Sequence, residues 1–143
     1  MNSLEAGIFR YEFTVPEAVI DVNGHVNNVA YVQWMQDVAI QHAAALVSES
    51  VLREIGGAWV ARSHHIEYLR PTFAGDDIEA RTWIADLRRV RAHRRYQFVR
   101  LSDGVVLAKG ETDWVFIDTD TGLPRSIPEE IKAAFPLVPD GQQ

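Results

Sequence analysis

The chain contains no cysteine, which removes disulfides, thiolate metal sites and a cysteine nucleophile from consideration and fits a reducing compartment. Nor has it any excess of positive charge. Fourteen Lys and Arg stand against 20 Asp and Glu, a net charge of −6, which argues against nucleic acid as a general partner. No uninterrupted apolar run approaches the ~20 residues that a bilayer span requires. The first eight residues lack the basic stretch and apolar core of a secretory signal, so the expectation is a soluble, cytoplasmic protein. Low-complexity tracts and fixed-period repeats are missing as well, which speaks against a linker or a solenoid. What is present is 143 residues, 47% apolar, with four Trp, four Tyr and six Phe. That is enough to build one compact domain over residues 1–143.

Phe9, Tyr11, Phe13 and Val15 alternate with Arg10, Glu12 and Thr14, the period of a strand with one buried face, and Pro16 closes it. From Tyr31 the apolar positions recur as Trp34, Met35, Val38, Ala39, His42 and Leu46, which is helical spacing, and Asn27 or Asn28 is placed to cap the first turn. The far side of this helix, to about Ser48, is thinly polar, so it is expected to be largely enclosed. After Gly56-Gly57 come four extended segments, 59–69, 77–87, 93–101 and 105–118. The breaks between them carry turn residues, Asp103-Gly104 being the strongest hairpin signal. In the last strand Val106, Ala108, Gly110, Thr112, Trp114 and Phe116 share a face graded from small to large, as a helix lying closer to one end of a sheet requires. Ser126-Ile127-Pro128-Glu129 has the spacing of a capping box before a short helix ending near Pro136. The order predicts an α+β fold: an antiparallel sheet of about five strands wrapped around one long helix, with open edges that a second copy can complete.

Between the first strand and the helix lie Asp21, Asn23, His25, Asn27 and Asn28, five polar residues in eight positions. The helix that follows presents unpaired backbone N–H groups with partial positive charge, a site for a carbonyl oxygen that becomes anionic. A carboxylate, an imidazole and an oxyanion site can converge here. The same residues also suit a plain turn and a helix cap, the commonest use of Asn, Asp and Gly before a helix.

The stretch Asp21-Val22-Asn23-Gly24-His25-Val26-Asn27-Asn28-Val29-Ala30-Tyr31, followed by Trp34, resembles the signature of hotdog-fold thioesterases of the 4-hydroxybenzoyl-CoA thioesterase type. It is especially similar to the Asp-x-Asn-x-His-Val-Asn-Asn segment of plant acyl-carrier-protein thioesterases. Ile66-Glu67-Tyr68-Leu69-Arg70-Pro71, Gly75-Asp76, Thr82-Trp83 and Val115-Phe116-Ile117-Asp118 look like the family's other recurring segments. The resemblance implies a hotdog domain that hydrolyses an acyl thioester without a cofactor, as a homodimer or homotetramer with its site at a subunit interface. It assigns the catalytic carboxylate, as nucleophile or general base, to Asp21, three residues before Gly24. The backbone N–H that polarises the carbonyl falls on Asn28, while Asn23 and His25 match catalytic residues of the plant branch, and a sister branch carries its carboxylate on the helix, where Asp37 stands. The plant enzymes carry two such domains, and this chain has room for one. Acyl-CoA and acyl carrier protein are both implied substrates; a non-catalytic acyl-CoA-binding hotdog module and a hotdog dehydratase are the alternatives.

Arg88, Arg89, Arg91, Arg94 and Arg95 put five of the 14 basic residues into eight positions, a local anion-binding candidate for CoA phosphates or an acidic carrier protein. Arg88, Arg89 and Arg91 are the expected contacts, although arginines also protect sheet edges from aggregation. Tyr31 and Trp59, with Trp34, Phe73 and Trp83, are candidates to line an acyl pocket or simply to build the core. His64 and His65 point to opposite faces of one strand and form no paired ligand set, so no metal site is expected.

Overall fold

The computed structural model describes residues 2–140. Its elements run β1 Asn2–Glu5, β2 Ile8–Thr14, α1 Asn28–Leu46, α2 Glu49–Ile55, β3 Gly57–Tyr68, β4 Asp77–Leu87, β5 Arg91–Arg100, β6 Val106–Asp118 and α3 Glu129–Ala134. The strands form one antiparallel sheet in the order β1-β2-β4-β5-β6-β3. The fold is α+β, with six strands where about five were expected. The extra strand is β1, joined to β2 by a turn at Ala6 and Gly7, both at positive φ. Among the described residues no helix is long and apolar enough to cross a membrane.

α1 crosses the concave face of the sheet because one stripe of its surface, Ala30, Tyr31, Met35, Val38, Ala39 and His42, is buried. Met35 and Val38 pack in a core with Ile78, Ala80, Tyr96, Phe98 and Leu107. The gradient along β6 has its predicted purpose. A Cβ on Gly110 would stand 3.0 Å from the Met35 sulfur, so the absent side chain is what lets the helix approach at this point. Farther along, Phe116 is fully buried and anchors a second cluster with Ile84, Ala92, Ile127, Ile131 and Phe135.

Three local expectations are corrected. The other side of α1 is open rather than enclosed, with Val29 76% and Ile40 58% exposed. α2, capped by Ser48 and ended by Gly56 at φ 75°, occupies the stretch before β3. The capping box at Ser126 is not made. Pro128 holds the position before α3 without a side-chain bond, and the Ser126 hydroxyl instead accepts from Arg89 at 3.0 Å.

His42 and Arg94 form a polar pair inside the core. The Arg94 Nη1 donates to His42 Nδ1 at 2.8 Å and to the Thr82 hydroxyl at 3.0 Å. Arginine has only donors, so Nδ1 must be the acceptor and the imidazole neutral, with its proton on Nε2. The ring stacks on Phe9 at 5.5 Å and meets the edge of Phe135 at 5.7 Å. Burial, and then the Arg94 charge, lower its pKa to about 3 from 6.5.

Two outcomes follow. A Cβ on Gly57 would overlap the Phe116 ring, so Gly57→Ala should lower stability by about 1–3 kcal/mol through overpacking, read as a drop in Tm. For His42, both states are neutral above pH 6.5. Below it the unfolded chain binds a proton that the folded protein refuses, so stability falls with pH by about 1.4 kcal/mol per unit until the folded pKa near 3. His42→Gln keeps an acceptor for Arg94 without titrating. Its urea-denaturation stability between pH 7 and 4.5 should fall less steeply than that of the wild type by about one proton, and equal slopes would remove His42 as the acid-sensitive group.

Candidate active site

The polar loop is a small hairpin pinned on several sides. Ile20 bridges to Val26, the Asp21 N–H donates to the His25 carbonyl at 2.8 Å, and the Gly24 N–H closes a turn onto the Asp21 carbonyl at 3.0 Å. Gly24 has φ 78°, the left-handed conformation that the turn requires. Outside the turn, the Val26 N–H donates to the Thr72 carbonyl and the Asn27 N–H to that of Val19.

Asn27, not Asn28, is the helix cap. Its side-chain oxygen accepts from the Ala30 N–H at 2.8 Å while its amide nitrogen donates to the Val19 carbonyl at 2.8 Å, so one side chain ties helix to loop. Asn28 is the first helical residue. Among the described residues the Asn28 and Val29 N–H groups have no acceptor within the chain, which leaves them available at the positive end of α1. The Asn28 carbonyl accepts from the Tyr68 hydroxyl at 3.1 Å, which fixes the helix start against the end of β3.

Asp21 and Asn23 are exposed. One Asp21 carboxylate oxygen accepts the Asn23 N–H at 2.9 Å, which aims the carboxylate with the turn and leaves its second oxygen unengaged among the described residues. His25 is half-buried and meets the edge of Phe73 at 5.2 Å. No hydrogen bond joins its ring to Asp21 among the described residues, so the loop gathers these side chains without wiring them into a relay. Asp37 is exposed and accepts from Gln33 at 2.8 Å.

The other expected residues divide. Tyr31 is only 3% exposed, its hydroxyl paired with Thr72 at 2.5 Å and its ring set against Trp34, Tyr68 and Phe98. It is a core residue behind the loop, the second of the two uses its sequence allowed. Trp59 does line a cavity, of about 540 Å³, between the C-terminal half of α1 and the start of β3.

The arginine cluster also splits, because a strand alternates its faces. Arg88 is paired with Asp86 at 2.6 Å, and Arg89 and Arg91 are exposed in or beside the β4–β5 turn. Arg95 binds Glu111 and Asp140 on the outer face. Beside them a polar cavity of about 290 Å³ includes Arg88, Arg91, His93 and Asp113, and the His93 ring holds the Asp113 carboxyl below its ordinary range. Arg94 points the other way, into the core and onto the 540 Å³ cavity. Reading it as a surface charge overlooked the alternation Ala92, Arg94, Tyr96, Phe98, which places it on the buried face. The turn at Arg88 lies at the opposite end of β4 from the loop, since β4 begins beside Thr14 and runs 11 residues, about 35 Å.

The sequence matches the family described as the thioesterase-like superfamily over residues 15–135. The chloroplastic oleoyl-acyl carrier protein thioesterase 2 of Arabidopsis thaliana is 20% identical over 134 residues, 89% of this chain and 36% of that protein, so the chain spans little more than a third of that relative's length. A Staphylococcus aureus protein solved in complex with CoA has the same fold at a TM-score of 0.84 and 21% identity, over 94% of this chain and 85% of that one. The 1,4-dihydroxy-2-naphthoyl-CoA thioesterase of Synechocystis gives 0.80 and 21%, over 90% of this chain and 95% of that one. The fold is thus the hotdog fold. The family match begins at Val15, just past β2, and ends at Phe135, just past α3, so it takes in the loop, α1 and the whole of β3 to β6: the chain belongs to the thioesterase-like superfamily.

Proposed function

We propose that this protein hydrolyses an acyl-CoA thioester, with Asp21 as nucleophile or general base and the Asn28 backbone N–H as the oxyanion donor. The observation that carries this reading is an exposed carboxylate, fixed on a hydrogen-bonded turn, seven positions before the free N–H groups of a helix in a chain of the thioesterase-like superfamily. Attack on the carbonyl carbon converts its oxygen to an oxyanion, which the positive end of α1 stabilises. The C–S bond then breaks. By the nucleophilic route the acyl–Asp21 anhydride is hydrolysed by water; by the general-base route Asp21 takes a proton from the attacking water. Either way the water oxygen ends in the free acid and a proton ends on the CoA sulfur. Asn23 and His25 are assigned to positioning of substrate or water, since neither side chain bonds to Asp21.

A second copy of the chain supplies the enclosure that such chemistry needs. Val22 is fully exposed beside Asp21, and Val29 is 76% exposed beside Asn28, two apolar side chains suited to a covering surface. The 12-residue β3 ends the sheet with one side unpaired. Antiparallel pairing of β3 with its copy about a two-fold axis sets the Tyr68 end of one strand beside the Trp59 end of the other. Tyr68 holds Asn28, so the loop of one copy then faces the 540 Å³ cavity and the arginine turn of the other. In that arrangement the cavity takes the acyl group, with Trp59 in its wall, and Arg88, Arg89 and Arg91 take CoA phosphates. A carrier-protein substrate is the second reading, favoured by the similarity to the Arabidopsis enzyme; the same arginines suit its acidic surface.

The deciding assay is thiol release from a panel of aliphatic and aromatic acyl-CoAs. Asp21→Asn should lower kcat by about a thousandfold, and full activity in that variant would remove Asp21 from the site. Asn28→Pro deletes the backbone N–H at a position where helices accept proline, after a residue already extended (Asn27 φ −71°, ψ 153°). It should cost about a hundredfold in kcat, while Asn28→Ala stays near wild type. An inert panel that still binds would make the protein an acyl-CoA-binding module.

Neutralising Arg88, Arg89 and Arg91 together should raise KM far more than it lowers kcat. Co-expression of that triple variant with Asp21→Asn tests the shared site. Below KM, mixed dimers should restore about a quarter of wild-type activity, because each mixed dimer regenerates one intact site. No recovery would place the arginines and the carboxylate of one chain in the same site, or the arginines outside it.

A further inference from the structure

The cavity beneath the C-terminal half of α1 has a composition that the proposed hydrolysis does not by itself require. Its walls are mostly apolar, Ala39, Ala43 and Val47 from the helix and Trp59, Ile84 and Phe135 opposite; its charged members are Arg94, which is buried, and Glu49, which is exposed. Arg94 is 4% exposed. Its two hydrogen bonds go to neutral acceptors, His42 Nδ1 and the Thr82 hydroxyl. Its Nε has no acceptor, and among the described residues no carboxylate pairs with it, in contrast to its neighbour Arg95, which binds Glu111 and Asp140.

A guanidinium taken out of water without a counter-ion is unfavourable, and neutral dipoles replace only part of the lost hydration. Burial lowers the Arg94 pKa only to about 10, so the side chain keeps its charge at neutral pH. His42 cannot help neutralise it, being itself neutral and fixed as an acceptor. A mostly apolar cavity with a buried, unpaired cation in its wall and its one carboxylate, Glu49, at the exposed side complements an apolar chain that ends in an anion. Guanidinium favours carboxylate in particular, through paired charge-assisted hydrogen bonds.

We infer that the acyl group this cavity accepts carries a carboxylate at its far end, so that the substrate is the mono-CoA thioester of a dicarboxylic acid, with Arg94 binding the distal carboxylate. This rests on the reading of the chain as a thioester hydrolase. The reaction is unchanged: water cleaves the thioester, the CoA thiol takes one proton, and the product is the free dicarboxylate. Arg94 is then a specificity determinant, remote from the carbonyl being attacked. A plain acyl chain in the same cavity would leave the cation buried and unpaired, a penalty that discriminates more strongly than a missing methylene does.

The test compares wild-type hydrolysis of length-matched pairs: adipoyl- and hexanoyl-CoA, suberoyl- and octanoyl-CoA, sebacoyl- and decanoyl-CoA. The kcat/KM ratio of carboxylated to plain substrate should exceed about tenfold at one length at least. Arg94→Met should collapse that ratio while leaving hydrolysis of the plain partner intact or faster, and Arg94→Lys should keep part of the preference. The ligand-free Arg94→Met protein should also melt higher than wild type, since an unpaired buried charge is gone. Free suberate should raise the Tm of wild type where octanoate does not. A preference for plain acyl-CoAs at every length overturns the inference, as does an unchanged ratio in Arg94→Met. If that variant does not fold, the wild-type ratios and the suberate shift decide. Failure to hydrolyse any CoA ester would instead sink the hydrolase reading, and the suberate shift would then decide alone whether the cavity binds a carboxylate.

Discussion

The close approach of α1 to the sheet at Gly110 is the constraint on which the rest depends. A 19-residue helix, about 28 Å long, can bury its stripe across a curved sheet only where some strand gives way. β6 gives way at Gly110, where Met35 fills the space of the missing side chain. The N-terminal end of α1 is held by Asn27 and Tyr68, and a cavity lined by Trp59 and Trp114 lies between its C-terminal half and β3. A tight end and a loose end result, the first suited to holding backbone N–H groups in place and the second to holding a cavity.

The two ends differ in electrostatics as well as in packing. At the start of α1 the helix dipole and two free N–H groups suit a developing negative charge, and Asp21 stands earlier in the same loop, on a turn whose hydrogen bonds are all local. Toward the other end, the Arg94 charge sits in the core with a neutral histidine below it. The first end presents free N–H groups and the other a buried cation without a carboxylate partner among the described residues. The unpaired edge of β3 offers a way to bring the tight end of one copy against the loose end of another.

The apolar side chains left uncovered at Val22, Val29 and Ile40 lie on the loop and on the open side of α1, while the outer face of the sheet carries ion pairs such as Arg95 with Glu111 and Arg81 with Glu79. Exposed apolar side chains thus stand at the loop and α1, and also elsewhere, as at Val60 of β3 and at Leu101.

Much of this was written in local sequence. The period of two in β2, the helical spacing from Tyr31 to Leu46 and the small-to-large gradient of β6 follow from how side chains alternate on strands and helices, and they set the α+β order and the facing of β6 toward α1. The polar loop before α1 was legible too, because turns and caps are built from neighbouring residues. Local pattern misplaced what depends on distant neighbours. Ser126 was read as a cap, but the Arg89 side chain, 37 positions away, claims its hydroxyl. Tyr31 was open to either a pocket wall or the core, and only Thr72 and the rings of Tyr68 and Phe98 place it in the core. Arg94 was counted among surface charges, although only the stacking of β4, β5 and α1 shows that its two acceptors are His42 and Thr82. Spacing along the chain decides which way a residue points; what it meets there is decided by elements that are remote in sequence, and the site chemistry rests on those meetings.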